Sequence, residues 1–111
     1  MAKEEDGVYD SSDNNAEHPL RTAAVEDLLT VLRKSENGDD LFNFLLDVST
    51  PRELAEIAQR LQVARMLKDG MAYVTIEKKT GASATTIARV SKCLQYGNLG
   101  YAVAISKLEQ E

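Results

Sequence analysis

Between Tyr73 and Lys92 the sequence reads YVTIEKKTGASATTIARVSK, and no other stretch narrows the fold so far. A short helix-forming run, Tyr73 to about Thr80, meets Gly81, which supplies the positive φ needed where a chain reverses. Ser83 then stands as an N-cap before a second helix running to about Gln95. Ile76 lies five residues before the glycine, and Ile87 and Val90 lie six and nine after it. Those spacings let two helices pack at a steep angle. The layout is that of a helix-turn-helix over about residues 72–95, the unit that lays its second helix in the DNA major groove. An ordinary αα-hairpin with a glycine turn has the same spacing. Two positions depart from the common pattern. Glu77 stands where a small residue is usual, and Thr80 stands where an apolar one is.

Charge bears on that choice. The net charge of −5 is unfavourable for a DNA binder, but it is unevenly spread. Residues 1–20 carry Glu4, Glu5, Asp6, Asp10, Asp13 and Glu17 against Lys3 alone, so this tail accounts for all of it. Residues 60–92 carry Arg60, Arg65, Lys68, Lys78, Lys79, Arg89 and Lys92 against Asp69 and Glu77, a net +5. Segregation of this kind is the footprint of a nucleic-acid face. A solvated basic helix surface carries the same charge without the function.

The rest of the chain reads as helices. Residues 1–18 lack apolar periodicity and are expected to be a disordered acidic tail, with a helical domain over residues 19–111. Leu20 to Ser35 carries Val25, Leu28, Leu29 and Leu32 as an amphipathic stripe, ended by Glu36-Asn37-Gly38. Asp39 or Asp40 is expected to cap a second helix, Leu41 to Val48, which is apolar nearly all round. Such a helix needs burial on every side, which in a short chain favours a dimer interface. Thr50-Pro51-Arg52-Glu53 is a capping box opening the longest helix, which Gly70 closes. Its expected inner face is Leu54, Ile57, Ala58, Leu61, Ala64 and Leu67. After a break at Gly97-Asn98 and Gly100, Tyr101, Ala102, Ile105 and Leu108 mark a last helix to about Gln110. Strand-type alternation never persists, so the expected fold is all-α with six helices.

Several functions are disfavoured. There is no long apolar run for a membrane span, and the acidic start does not read as a signal peptide. With one cysteine, Cys93, an internal disulfide is impossible and the cytoplasm is the expected compartment. No Cys/His cluster has zinc spacing, so no metal is expected, and no cofactor. His18 lies beside the tail and pairs with no nucleophile, so an enzyme is not expected. Cys93 has Lys92 and Arg89 as helix neighbours, which suits a redox-sensing thiol, but an inert half-buried thiol fits the same surroundings.

From about Leu41 to Leu108 the chain resembles the Trp repressor superfamily, and within it the Trp-repressor-like YerC/YecD family. The runs that carry the resemblance are LFNFLLDVSTPRELAEIAQRL, TGASATTIARVSKCL and QYGNLGY. The resemblance implies a six-helix fold in which two chains interlace as a homodimer and project two helix-turn-helix units into successive major grooves. It also implies an effector pocket between the long helix and the recognition helix. Thr50 matches a threonine at the start of the long helix, and Arg60 and Arg89 match two arginines that sandwich the indole of bound tryptophan. Val90 replaces a glycine, and Cys93 replaces a serine that supports the ligand. Those larger groups argue against tryptophan as effector, and leave a smaller anionic ligand or none.

The DNA contacts transfer incompletely. Tyr73, Val74 and Glu77 stand where the repressor has polar and basic contacts, and the bases have moved to Lys78 and Lys79. Ala84, Thr85, Thr86 and Ala88 fall at base-edge positions, with no Arg placed to read guanine. The expected DNA-contacting set is Lys78, Lys79, Ser83, Ala84, Thr85, Thr86, Arg89 and Lys92. The leading expectation is a cytoplasmic, homodimeric regulator of transcription that binds double-stranded DNA, acting as a repressor. The alternative is a protein-interaction module that kept the fold and lost DNA binding.

Overall fold

A computed structural model describes residues 17–110. Most of the acidic tail therefore lies outside the described residues. Among those described there are six α-helices and no strand: α1 Ala23–Lys34, α2 Gly38–Val48, α3 Pro51–Lys68, α4 Tyr73–Thr80, α5 Ala84–Tyr96 and α6 Gly100–Glu109. The all-α expectation is met. The chain divides into two compact units at the Thr50–Pro51 junction.

The N-terminal unit holds α1 and α2. The first helix begins at Ala23 rather than Leu20, because the Thr22 hydroxyl accepts the Val25 N–H at 3.2 Å and caps it there. Leu20 instead lies in a turn whose N–H donates to His18 Nδ1 at 3.1 Å. The junction between the helices also differs from expectation. Gly38 does not end α1 but begins α2, and the cap of α2 is Asn37, not Asp39 or Asp40. The Asn37 side-chain oxygen accepts the Asp40 N–H at 2.8 Å. Asp39 and Asp40 sit in the first turn, where carboxylates complement the helix dipole. Neither helix contains a fully buried residue. On α2, Leu41, Phe44 and Leu45 are half-buried while Phe42 is 53% exposed and Val48 58%, so a single chain leaves part of this apolar helix uncovered.

The C-terminal unit packs α3 against α4, α5 and α6. Its core is Val63, Ala64, Ile76, Ala82, Ile87, Val90 and Ile105, with Leu61, Met66, Leu67, Met71, Leu94 and Tyr101 against it. Only the C-terminal half of α3 faces this core. Val63, which the stripe argument missed, is fully buried, whereas Ile57 is 54% exposed. The long helix ends in a Schellman motif: Gly70 has φ +85°, and the Met71 N–H reaches back to the Met66 carbonyl at 3.1 Å.

The link between α5 and α6 is tight. The Gly97 N–H donates to the Cys93 carbonyl at 2.8 Å, and a Cβ at Gly97 would stand 2.5 Å from that same oxygen. Leu99 follows with φ +67°, the only non-glycine residue in the left-handed region among those described.

Candidate nucleic-acid interface and adjoining cavity

The reversal between α4 and α5 is built as the sequence pattern requires. Gly81 is left-handed at φ +77°, ψ 2°, and its N–H closes α4 on the Glu77 carbonyl at 2.9 Å. Ile76, Ile87 and Val90, the three residues whose spacing defined the motif, are all buried, with Ala82 of the turn beside them. Glu77, a departure from the usual small residue, is half-buried and contributes its backbone oxygen to the turn.

Thr80, the second departure, explains itself through hydrogen bonds. Its hydroxyl donates to the Ile76 carbonyl at 2.7 Å and accepts the Ala82 N–H at 3.1 Å. Its own carbonyl accepts the Gln59 side-chain amide at 3.0 Å. A polar residue is therefore accommodated at a half-buried turn because its hydroxyl and its carbonyl both have partners. Gln59 was invisible as a functional residue in the sequence. A glutamine on a long helix looks like any solvent-facing polar residue, and its partner lies 21 residues away.

At the start of α5 the Ser83 hydroxyl accepts the Thr86 N–H at 3.1 Å and donates to Thr86 Oγ1 at the same distance. This cap removes one orphan donor from the end of the helix nearest the turn. Ser83, Ala84, Thr85, Ala88, Arg89 and Lys92 are exposed, and Thr86 is half-buried. Lys78 and Lys79 are exposed in the last turn of α4, where positive charge also complements the helix dipole. Among the described residues, no ion pair engages Lys78, Lys79, Arg89 or Lys92, in contrast to Lys68, which meets Glu109 at 3.3 Å. Lys78 and Lys79 thus stand just before the turn and Arg89 and Lys92 along α5, four cations without an ion pair among the described residues.

Behind α5 lies a cavity of about 320 Å³ lined by Arg60, Thr86, Arg89, Val90, Cys93 and Tyr101. Four of the residues expected in an effector pocket, Arg60, Arg89, Val90 and Cys93, thus come together. Thr50 immediately precedes Pro51 at the junction of the two units. Tyr101 was not foreseen as a lining residue. The Val90 side chain is 2% exposed, so it serves the core and forms a wall of the cavity at once. Cys93 is a free, exposed thiol. A larger cavity of about 510 Å³ adjoins the first and shares Arg60, Cys93 and Tyr101 with it. Among the described residues, no group of His, Cys, Asp or Glu side chains is arranged to hold a metal ion. No helix among them is long and apolar enough to cross a membrane.

Comparison with known proteins bears on this arrangement. Residues 23–109 match the family model of the Trp repressor protein. The uncharacterized protein YerC of Bacillus subtilis (strain 168) is 38% identical over 91 residues, which span 82% of this chain and 88% of that protein. A crystal structure of a candidate Trp repressor from Staphylococcus aureus superposes with a TM-score of 0.78 at 40% identity, covering 83% of this chain and 92% of that one. The crystal structure of a TrpR-like protein from Eubacterium eligens ATCC 27750 gives a TM-score of 0.77 at 40% identity, over 80% of this chain and 92% of that one. With the family model matching residues 23–109 and solved structures at 40% identity superposing over four-fifths of its length, the chain belongs to the Trp repressor family.

Proposed function

We propose that this protein is a cytoplasmic transcriptional regulator that binds double-stranded DNA as a homodimer and acts by repression. Residues 19–111 form its DNA-binding domain, and residues 1–18 form an acidic tail. The observation that carries the reading is the exposed, capped N-terminus of α5 beside a left-handed Gly81 turn, with Lys78 and Lys79 before it and Arg89 and Lys92 along α5, none of them in an ion pair among the described residues. Phosphate contacts from those four cations set register and affinity, and the small residues at the start of α5 enter the major groove. Membership of a family of regulators, and no Ser/His or Cys/His pairing in the sequence, support a function by occlusion rather than catalysis.

The cavity between Arg60 and Arg89 is the proposed effector site. Two guanidiniums at its wall suit an anion. Val90 and Cys93, which stand where the Trp repressor has a glycine and a serine, argue against tryptophan as the effector. Selection of bound duplexes from a random library by the purified protein tests the reading. A two-fold-symmetric consensus supports it, because a symmetric dimer reads a symmetric site. Failure to enrich any sequence at low salt overturns it, and directs attention to a protein partner.

A further inference from the structure

We propose that the recognition helix α5 reads thymine C5-methyl groups, through a contact surface made by Ala84, Thr85 and Ala88, so that its operator is rich in A·T pairs. The inference rests on the DNA-binding reading above and assigns the chemistry that α5 recognises.

The three residues are exposed and lie at i, i+1 and i+4, on one face of the helix's first turns. Each presents a methyl group and none carries a long polar fork. Two of the three hydroxyls at this end of the helix are engaged, since Ser83 and Thr86 bond to one another and Ser83 caps the helix, which leaves Thr85 to present both its methyl and its hydroxyl. No Arg, Lys, Asn or Gln lies between Ser83 and Ala88. Bidentate reading of guanine or adenine therefore has no donor set where a recognition helix meets base edges. Arg89 lines the cavity beside Arg60, Val90 and Cys93, which turns it away from the face that Ala84, Thr85 and Ala88 share. Lys92 lies eight residues beyond Ala84, about 12 Å along the helix axis, which carries it toward the groove wall and its phosphates. Small side chains also let the helix backbone approach the groove floor. The one major-groove feature that a methyl-bearing surface distinguishes is the thymine methyl.

The test uses the full-length protein and a duplex recovered from the random-library selection. Thymines are replaced by uracil one at a time, which removes the methyl and keeps the pairing. The expected result is affinity about fourfold weaker for each contacted thymine. The same series is run on Thr85→Ser, an exposed change that removes a methyl and retains the hydroxyl. If the contact is direct, the substitution binds the thymine duplex more weakly and shows a smaller uracil penalty at the thymine facing position 85. Equal affinity for the uracil and thymine duplexes overturns the inference while leaving DNA binding intact. So does a uracil penalty of the same size in both proteins, which assigns the effect to duplex stiffness. If no duplex is bound at all, the DNA reading falls and this inference with it.

Discussion

The side-chain amide of Gln59, midway along α3, donates to the Thr80 carbonyl at 3.0 Å. This single bond ties the long helix to the turn that sets the angle between α4 and α5. Removing it with Gln59→Leu leaves a half-buried carbonyl without that donor, at a cost of about 1 kcal/mol measured by urea unfolding. The substitution is also expected to weaken binding to a selected duplex while leaving the salt dependence unchanged, because Gln59 holds no phosphate in this account. A fall in the salt slope would instead place Gln59 on the DNA backbone.

The two glycines around α5 differ in kind. At Gly81 a Cβ would meet only Gln59 Nε2 at 3.9 Å, an ordinary contact, so Gly81→Ala pays for backbone strain at φ +77° alone, about 1–2 kcal/mol. At Gly97 a Cβ would stand 2.5 Å from the Cys93 carbonyl oxygen, which cannot move without unwinding the end of α5. Gly97→Ala is therefore expected to destabilise the more of the two, with overpacking of about 1–3 kcal/mol added to the propagated shift of the helix end. Denaturation midpoints of the pair decide the order.

Lys78 and Lys79 separate affinity from stability. Both are exposed and without ion-pair partners among the described residues. Their replacement by alanine should leave the unfolding midpoint within about 0.5 kcal/mol of the parent. Each removed lysine should lower the salt slope of duplex binding by about 1, and so by about 2 per dimer. An unchanged slope would assign them to dipole compensation at the end of α4.

The uncovered apolar surface predicts coupling between folding and assembly. Phe42, Leu46 and Val48 of α2 and Ile57 of α3 are each more than two-fifths exposed in one chain. If these surfaces are buried in a homodimer, the thermal midpoint rises with protein concentration by mass action. A midpoint independent of concentration would mean that a single chain folds alone.

Much of the fold was legible because the signals are local. Pro51, Gly70, Gly81 and Ser83 mark helix ends by backbone chemistry that needs no partner, and all four stand at helix ends in the structure. The sequence misleads where two local signals compete. Asn37-Gly38 reads as a helix stop followed by an acidic cap, yet the asparagine oxygen takes the Asp40 N–H and the glycine joins the helix. Periodicity alone also misjudged α3. Its stripe is continuous, but α4 to α6 cover only its second half, so Val63 is core and Ile57 is surface. The cavity residues Arg60, Arg89, Val90 and Cys93 came from family resemblance. Gln59 and Tyr101 came from neither, because both act through partners distant in sequence.

The salt dependence of binding to a selected duplex decides whether the protein holds DNA as a phosphate-anchored dimer. Four cations per chain, doubled by two-fold symmetry, predict a slope of log affinity against log salt of about −7. A slope near zero with affinity retained would mean that Lys78, Lys79, Arg89 and Lys92 hold no phosphates, and phosphate anchoring would be wrong.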